Sequence, residues 1–313
     1  MSAPADRPGA AEPPGRTHLG IAWRRFRRHR LGMAGAVLLL ALALGALIQP
    51  ALSPYSFSSP DPAVGGQGPG WPHVFGTTDP LGQDVLTRVM YGGRTSLAVG
   101  LAAALAATLL GTTLGALAGY LGGAVDSVIS RLTDLFLTAP PLAVLIALGS
   151  AVDRVSLGLV ILVIAALSWM PVARLVRAEV LALRERECVL AARAMGAGPV
   201  RIILRHLLPN VASVVIVAAT LLVGLAIIVE STLSFLGIGL DAISNPSWGN
   251  LLEDARSEVE DGWWLVVFPG AAIVLTVLSV SFVGEALRQA LDPRGRGRDR
   301  RLSARAFGRA RRW

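Results

Sequence analysis

The sequence predicts an all-α, polytopic membrane protein with six transmembrane helices, both termini in the cytoplasm and one long cytoplasmic loop. Of the 313 residues, 53% are hydrophobic and 16% are charged, whereas soluble domains carry about 25% charged residues. The apolar residues are gathered into runs of the roughly 20 residues that a helix needs to cross the hydrocarbon core. Arginines occupy alternate segments between these runs, which is the pattern that sets orientation in a membrane.

Six uncharged segments are long enough to cross a bilayer. We infer helices from length and from the need to satisfy every backbone group in lipid, because a helix surrounded by lipid and other helices shows little periodicity. In the second run, Gly111, Gly115 and Gly119 are spaced by four, which allows another helix to pack closely. The predicted spans are Leu31–Gln49, Thr95–Val125, Leu135–Val152, Val155–Ala173, Leu207–Val229 and Gly262–Gly284.

The spans divide the chain into tails, a first anchor and a core. We predict a cytoplasmic arginine-rich tail over residues 1–30 and a first transmembrane helix over 31–50. An external segment over 51–94 precedes a transmembrane core over 95–286, and a second cytoplasmic arginine-rich tail covers 287–313. The core contains five helices, a cytoplasmic loop at 174–208 and an external loop at 237–261.

The orientation follows from the distribution of arginine. Of the 29 arginines, 25 lie in residues 1–30, 126–134, 174–206 and 285–313, and the alternate segments hold only four. Flanking arginines are retained in the cytoplasm, so both ends are predicted to be cytoplasmic. The first span could instead be a signal peptide, but its apolar core exceeds the usual 7 to 15 residues, which favours an uncleaved anchor.

Composition excludes several kinds of activity. The chain has no lysine, so it cannot hold a P-loop and cannot hydrolyse ATP through one. The single cysteine, Cys188, permits no intrachain disulfide. The net charge of +8 would suggest a nucleic-acid partner, but the arginines lie in the tails and one loop. All four histidines lie outside the spans, which disfavours an intramembrane Ser-His protease. We therefore predict no catalytic residue and no metal site.

The cytoplasmic loop has the pattern of two helices joined by a tight turn. Val180, Leu183, Ala191, Ala194 and Met195 fall mostly at helical spacing, which predicts one amphipathic helix. After this helix, Gly196 favours a left-handed C-cap. Gly198 favours an N-cap and Pro199 the first position of a second helix.

The second short helix is predicted to have an apolar face and a basic face. Arg201 and Arg205 lie one turn apart on the basic face. Because Ala191 and Ala192 are small, another protein with an acidic groove could approach the loop closely. The alternative is a helix pair lying on lipid headgroups, and the spacing leaves both interpretations open. The predicted apolar face consists of Val200, Ile203, Leu204 and Leu207.

The segment LAARAMGAGPVRIILRHLLPN resembles the coupling loop of ABC importer permeases, whose pattern is EAA, three residues, Gly, nine residues, Ile, one residue, Leu-Pro. Leu190 and His206 stand where that pattern has Glu and Ile, and Glu187 is the nearest preceding acid. The resemblance implies that the loop contacts ATPase subunits. The residues it assigns to this contact are Glu187, Ala191, Ala192, Arg193, Gly196, Gly198, Arg201, Arg205, Leu208 and Pro209.

Three further segments resemble the DppC/OppC-type subunit of peptide importers. They are FGTTDPLGQDVLTRVMYGGRTSL at 75–97, ESTLSFLGIGL with NPSWGN within 230–250, and FPGAAIVLTVLSVSFVGEALRQALDPRG at 268–295. Ser281 and Glu285 stand where Asn and Asp are more usual. The four segments occur in the family's order and cover most of the chain after Phe75.

The resemblance implies a transport subunit and a set of partners. These are a homologous second permease (DppB/OppB-like), two ATP-binding subunits (DppD/DppF-like, or fused) and an external substrate-binding lipoprotein or periplasmic protein. ATP and Mg²⁺ would bind the partners, and this chain would bind no cofactor. The expected location is the bacterial inner membrane, where the tails contact anionic lipid. The expected substrates are dipeptides or oligopeptides, with a non-peptide solute such as a metal chelate as the alternative.

Ionisable residues near membrane depth are candidates for the translocation path. Glu230 could line the path or contact a peptide's amino group, but a buried hydrogen bond that fixes neighbouring helices is the favoured interpretation. Ser234, Phe235 and Leu236 follow it and are predicted to belong to the path or an outer gate. Two further acids near the cytoplasmic ends are expected to form ion pairs, Asp134 with Arg131 and Glu285 with Arg288.

Overall fold

The regular structure of the chain is helical throughout the described part. The computed structural model describes residues 18–57, 59–138, 140, 143–144, 146–147, 155–242, 245–258 and 262–291. A π-helical turn at Ile203–Leu207 joins the helix Pro199–Ile202 to the helix Leu208–Phe235. The helices are α1 (His18–Arg28), α2 (Arg30–Leu52), α3 (Val85–Leu121), α4 (Gly123–Thr138), α5 (Leu157–Arg184), α6 (Glu187–Ala194), α7 (Pro199–Ile202), α8 (Leu208–Phe235), α9 (Trp248–Asp254) and α10 (Trp263–Leu291).

Five helical segments of the described residues are long and apolar enough to cross a membrane. They are α2, α3, α5, the continuous segment Pro199–Phe235 and α10. They correspond to five of the six predicted spans. The remaining span, Leu135–Val152, begins within α4 and otherwise lies largely outside the described residues.

The helices extend beyond the uncharged runs. α3 begins at Val85, well before the predicted Thr95, because the Asp84 carboxylate accepts a hydrogen bond from the Thr87 backbone N–H at 2.8 Å. Arg94, which immediately precedes the uncharged run, lies inside α3. It donates to two main-chain carbonyls of α2 at 2.7 and 2.8 Å. A charged residue therefore does not mark the helix boundary here, because its charge is satisfied by a neighbouring helix.

α5 likewise continues past the predicted end of its span, Ala173, to Arg184. Arg177 forms a bidentate ion pair with Asp126 of α4, in which Arg177 Nη2 lies 2.7 Å from Asp126 Oδ2. The hydrogen bond from Arg177 holds the pKa of the Asp126 carboxyl below its usual range. The pair ties α5 to α4 and lets the helix extend through a charged stretch.

One of the two predicted ion pairs is wrong and one is confirmed. Asp134 pairs with Arg174 of α5 and not with Arg131 of its own helix. The reason is that α5 passes alongside α4, whereas the prediction considered only residues near in sequence. Glu285 pairs with Arg288 at 2.8 Å, as its i,i+3 spacing predicted.

α3 and α5 pack in parallel along the glycine row of α3. A methyl group at Gly111, Gly115 or Gly119 would lie 2.6, 2.4 or 2.9 Å from a carbonyl oxygen of α5. Those oxygens belong to Trp169, Ala173 and Arg177 in the same order, so both helices advance in the same direction. The partner of the glycine row is thus α5.

The helix ends gather at two opposite ends of the bundle. We call one the loop end; it contains the C-terminal ends of α3, α5 and α10 together with α1, whose buried Phe26 packs against Ala286 and Ala290. We call the other the far end; it contains the N-terminal ends of α3 and α10 and the C-terminal end of α8. There, Trp264 Nε1 donates to the Thr77 carbonyl at 3.1 Å. The prediction of a tail over residues 1–30 missed α1.

Candidate functional site

The chain between α5 and α8 forms a compact projection at the loop end. The helix predicted to run from Val180 through Met195 is interrupted after Arg184, and α6 begins anew at Glu187. This interruption shifts the helical phase. Val189 and Ala192 are therefore the buried residues of α6, packed in one core with residues of α3, α5 and α8. The predicted apolar face was wrong at three positions, because Ala191, Ala194 and Met195 are exposed.

The turn between α6 and α7 follows the local sequence signals. Gly196 has φ +81°, which is the left-handed conformation predicted for it. Gly198 is the N-cap of α7 with φ −70°, and Pro199 stands at the start of the helix. The Ala197 N–H donates to the Ala192 carbonyl at 3.0 Å and closes the turn. These local predictions are confirmed.

The apolar face predicted for the second helix is only partly correct. Ile203 and Leu207 are buried as expected, but Val200 and Leu204 are 68% and 60% exposed. Ile202, which was not assigned to that face, is fully buried. The π-helical turn that follows changes the residues per turn, so spacing rules for an α-helix assign the wrong face.

The outer surface of the projection is apolar and basic. Met195 and Val200, which flank the turn at Gly196, are both exposed, Met195 to 82%. Arg201 and Arg205 are also exposed, and within the described residues neither is assigned a hydrogen bond or ion pair. We call these five residues, Met195, Val200, Arg201, Leu204 and Arg205, the loop surface.

The remaining residues assigned to the coupling contact lie around the loop surface. Glu187 is exposed in the first turn of α6. Arg193 lies over the Tyr120 ring of α3, with Cζ 5.5 Å from the ring centroid. Leu208 is partly buried and Pro209 is exposed at the start of α8. The structure brings these residues to one end of the molecule.

A second polar site surrounds Glu230 near the far end. Glu230 is only 1% exposed. Its carboxylate accepts hydrogen bonds from the hydroxyls of Ser234 at 2.9 Å, Ser96 at 3.0 Å and Ser231 at 3.3 Å. The Ser247 hydroxyl also interacts with it. The acid therefore joins α3 to α8, in agreement with the favoured interpretation of Glu230 as a buried hydrogen-bonding group.

The same site holds the short helix α9 in place. The Trp248 backbone N–H donates to Ser96 Oγ at 3.2 Å, and the Trp248 indole N–H donates to the Val89 carbonyl at 2.8 Å. A methyl group at Gly249 would lie 2.5 Å from the Ser231 carbonyl oxygen, so α9 sits directly against α8. We call Glu230, Ser96, Ser231, Ser234 and Ser247 the Glu230 cluster.

The three path candidates that follow Glu230 separate into two environments. Ser234 is fully buried and belongs to the Glu230 cluster. Phe235 ends α8 and lies at the surface, with its ring centroid 5.2 Å from Cζ of Arg256. Leu236 is exposed beside it, and Gly237 then turns the chain with φ +73°. A role in a path or gate stays a prediction for these residues.

Sequence reasoning missed the partners that come from distant parts of the chain. Ser96 belongs to the Glu230 cluster and Trp248 donates to Ser96, although both are far from Glu230 in sequence. Arg88 pairs with Asp254 at 2.7 Å, again across a long separation. Only Ser231 and Ser234 could have been found locally, because they follow Glu230 at i+1 and i+4.

Comparison with known families gives two matches. Residues 111–297 match the family described as binding-protein-dependent transport system inner membrane component. Residues 17–69 match the N-terminal TM domain of oligopeptide transport permease C. The first match covers more than half of the chain.

Individual proteins are similar over nearly their whole length. A putative peptide permease protein of Brucella suis is 40% identical over 272 residues, which are 86% of this chain and 89% of the relative. The dipeptide transport system permease protein DppC of Alkalihalophilus pseudofirmus is 40% identical over 87% of this chain and 89% of its own. The oligopeptide transport system permease protein OppC of Escherichia coli is 41% identical over 90% of this chain and 93% of its own.

Proposed function

Because the chain belongs to the family of binding-protein-dependent transport system inner membrane components, we propose that it forms half of the path of an ATP-driven peptide importer. The other half is a homologous permease, and separate cytoplasmic ATPases supply the energy. An external binding protein delivers the substrate. The observation that carries this proposal is the loop surface, which projects from the bundle while its inner side is packed into the helical core.

The loop can transmit force because it is anchored on one side and open on the other. Val189 and Ala192 are buried against the core that α3, α5 and α8 share. The exposed apolar residues and arginines of the loop surface suit a groove with apolar walls and acidic rims. For transport to be coupled, the ATPases must bind the two permease conformations with different free energies.

We propose six crossings, with the loop end in the cytoplasm. α3 and α5 run parallel, so the chain must return from the loop end to the far end between Leu121 and Leu157. The predicted span Leu135–Val152 supplies a sixth crossing of suitable length. The segments rich in arginine then fall together at the loop end, which supports a cytoplasmic location for that end and for both tails in a bacterial inner membrane.

Peptides are the proposed substrate class. The relatives named above carry peptide, dipeptide or oligopeptide in their names. The decisive experiment is uptake of labelled di- and oligopeptides by the complex reconstituted in vesicles, with ATP inside the compartment that the loop end faces. We expect uptake that requires both ATP and the binding protein. Uptake of metal chelates without uptake of peptides would contradict the substrate assignment.

Replacing Gly196 with valine should uncouple transport from ATP hydrolysis. A left-handed conformation costs an L-residue about 1–2 kcal/mol, and a β-branched side chain adds to that strain. We expect the turn to distort, insertion to remain normal and peptide uptake per ATP to fall about tenfold. The measurement is uptake and ATPase rate in the same vesicles.

Gly158→Val is the matched control, because Gly158 is an exposed glycine of α5 without a positive φ and has no atom within 4 Å of an added methyl group. It should couple normally. Wild-type coupling by the Gly196→Val variant would refute the assignment of this turn to force transmission.

Reversing the charges at Arg201 and Arg205 together should weaken association with the ATPases. Both side chains are exposed on the loop surface, so the exchange to glutamate leaves the bundle intact. Repulsion from an acidic rim should reduce co-purified ATPase about tenfold, and high salt should reduce the difference. Arg131→Glu, at another exposed arginine of the loop end, is the control. An unchanged yield of complex would favour a loop that lies on lipid headgroups.

A further inference from the structure

α1 is an amphipathic helix with a basic face at the loop end. Arg27 and Arg28 follow Arg24 by three and four residues, so the three arginines share one side of the helix. All three side chains are exposed. α1 carries no acidic residue, so nothing within the helix neutralises this basic face. The opposite, apolar side contains Ala22, Trp23 and Phe26.

The basic face has no counter-charge in the part of the chain that the structure describes. No hydrogen bond or ion pair with another described residue is assigned to the side chains of Arg24, Arg27 or Arg28. The same holds for Arg30, the exposed first residue of α2. Like charges at these spacings repel one another. An anionic ligand that contacts several of the guanidinium groups would relieve this repulsion.

The apolar side of α1 is attached to α10. Phe26 is buried and packs against Ala286 and Ala290. The Trp23 ring stacks on the Phe26 ring, with the centroids 5.9 Å apart and an angle of 12° between the planes. Even so, 60% of the Trp23 surface stays exposed. Trp23 therefore continues the apolar side of α1 outward, where the bundle no longer covers it.

The position of α1 relative to the bilayer follows from α2. α2 begins at Arg30, two residues after α1 ends, and is long and apolar enough to cross a membrane. The His29 Nδ1 atom accepts a hydrogen bond from the Gly32 backbone N–H at 3.0 Å, which fixes the first turn of α2. A methyl group at Gly32 would lie 2.2 Å from Ala286 Cβ, so α2 meets α10 at a residue that Phe26 also contacts. α1 thus lies where the hydrocarbon region begins.

An anionic phospholipid has the chemistry that this position requires. Tryptophan is enriched at the interface between membrane and water, because its ring is apolar and its N–H is polar. A helix with a basic face and an aromatic residue on its apolar side is typical of helices that lie in this interface. Arginine binds phosphate through parallel hydrogen bonds. One phospholipid supplies both the phosphate and the acyl chains at the level that α2 sets.

We propose that α1 is a phospholipid-binding helix of the leaflet at the loop end, with Arg24, Arg27 and Arg28 at the phosphates of anionic lipid and Trp23 at the top of the acyl chains. This is more specific than the attraction of an arginine-rich tail to a membrane, because one face of a folded helix binds the lipid. Phe26 connects α1 to α10, so bound lipid helps to hold the first helix against the last. The inference does not depend on the substrate proposed above.

Lipid binding by charge variants tests the basic face. The full chain, assembled with its partner subunits in detergent, is titrated with phosphatidylglycerol or phosphatidylcholine, and native mass spectrometry counts the bound lipid. We expect the wild type to prefer phosphatidylglycerol. Arg24→Gln/Arg28→Gln should weaken phosphatidylglycerol binding about tenfold or more, because each arginine near a lipid surface contributes a factor of about five.

The matched control removes the same charge elsewhere at the loop end. Arg131→Gln/Arg186→Gln replaces two exposed arginines, one in α4 and one at the N-cap of α6, and should retain the preference. Both double variants change only exposed side chains, and the yield of complex reports their assembly. Unchanged binding by the α1 variant, or an equal loss in the control, would overturn the proposal.

The fluorescence of Trp23 tests its place in the lipid. The complex is reconstituted in nanodiscs with plain or chain-brominated phosphatidylglycerol, and the difference between the wild type and Trp23→Phe gives the emission of Trp23. We expect bromine near the top of the acyl chains to quench this emission and aqueous iodide to leave most of it. Quenching by iodide alone would refute the position in the interface. Protection from both quenchers would also refute it, because a protein partner would then cover α1.

Discussion

Glu230→Leu is expected to destabilise the far end more than any other single polar substitution in the described part of the chain. The Glu230 carboxylate is the common acceptor for hydroxyls of α3 and α8, and it is almost fully buried. Leucine would leave at least two buried hydroxyls without this acceptor. Because hydrogen bonds to charged groups contribute about 1.5–3 kcal/mol each, we expect a loss of about 3 kcal/mol.

The effect should reach α9, since the Trp248 N–H donates to the same Ser96 hydroxyl that donates to Glu230. Limited proteolysis between residues 237 and 258 should therefore become faster in the variant. Chemical denaturation in detergent measures the stability loss, and peptide uptake reports whether the far end still functions. A variant as stable and protease-resistant as the wild type would exclude a positioning role for Glu230.

A conservative variant at Glu230 distinguishes the loss of hydrogen bonds from the change in side-chain size. Glu230→Gln keeps one carbonyl oxygen but places an NH₂ group against a serine donor. It should therefore lower the free energy of unfolding, but by less than leucine does. Glu253→Gln makes the same chemical change at an α9 acid that is not assigned a side-chain hydrogen bond among the described residues. We expect wild-type stability for that control.

Gly115→Leu is expected to separate α3 from α5. An added Cβ would lie 2.4 Å from the Ala173 carbonyl oxygen and 3.0 Å from Val176 Cβ. The first neighbour is backbone and cannot rotate away, so the helices must move apart. Overpacking costs about 1–3 kcal/mol and occasionally more, and we expect the upper part of that range or a failure to accumulate in the membrane.

The measurement is the yield and thermal stability of the purified chain, with Gly270→Ala as the control. Gly270 also lies inside a long helix, but no atom comes within 4 Å of an added methyl group there. Alanine at this position should be neutral or slightly stabilising, because it favours helix more than glycine does. Normal stability of the Gly115→Leu variant would contradict the close packing of α3 on α5.

Local signals in the sequence were sufficient for features that a few adjacent residues determine. The left-handed Gly196, the start of α7 at Pro199 and the pairing of Glu285 with Arg288 were all predicted. The predicted run after Arg94 began too late, and the predicted run before Arg174 ended too early. A criterion based on uncharged length cannot detect that a neighbouring helix satisfies an arginine.

Features formed by distant segments could not be found in this way. The interruption after Arg184 and the π-helical turn change the helical phase, so the exposed faces of Val200 and Leu204 did not follow from spacing. The contacts of Glu230 with Ser96, and of Arg88 with Asp254, require knowledge of which helices are neighbours. The family resemblance identified the loop but not those pairs.

α3 gives the two ends of the molecule a direct mechanical connection. It is a single helix of 37 residues, hence about 55 Å long. Near its beginning it holds Trp248 through the Val89 carbonyl, and near its end Tyr120 lies beneath Arg193 of α6. A helix held at both ends transmits displacement along its length, so a movement of α6 at the loop end would change the geometry around α9 at the far end.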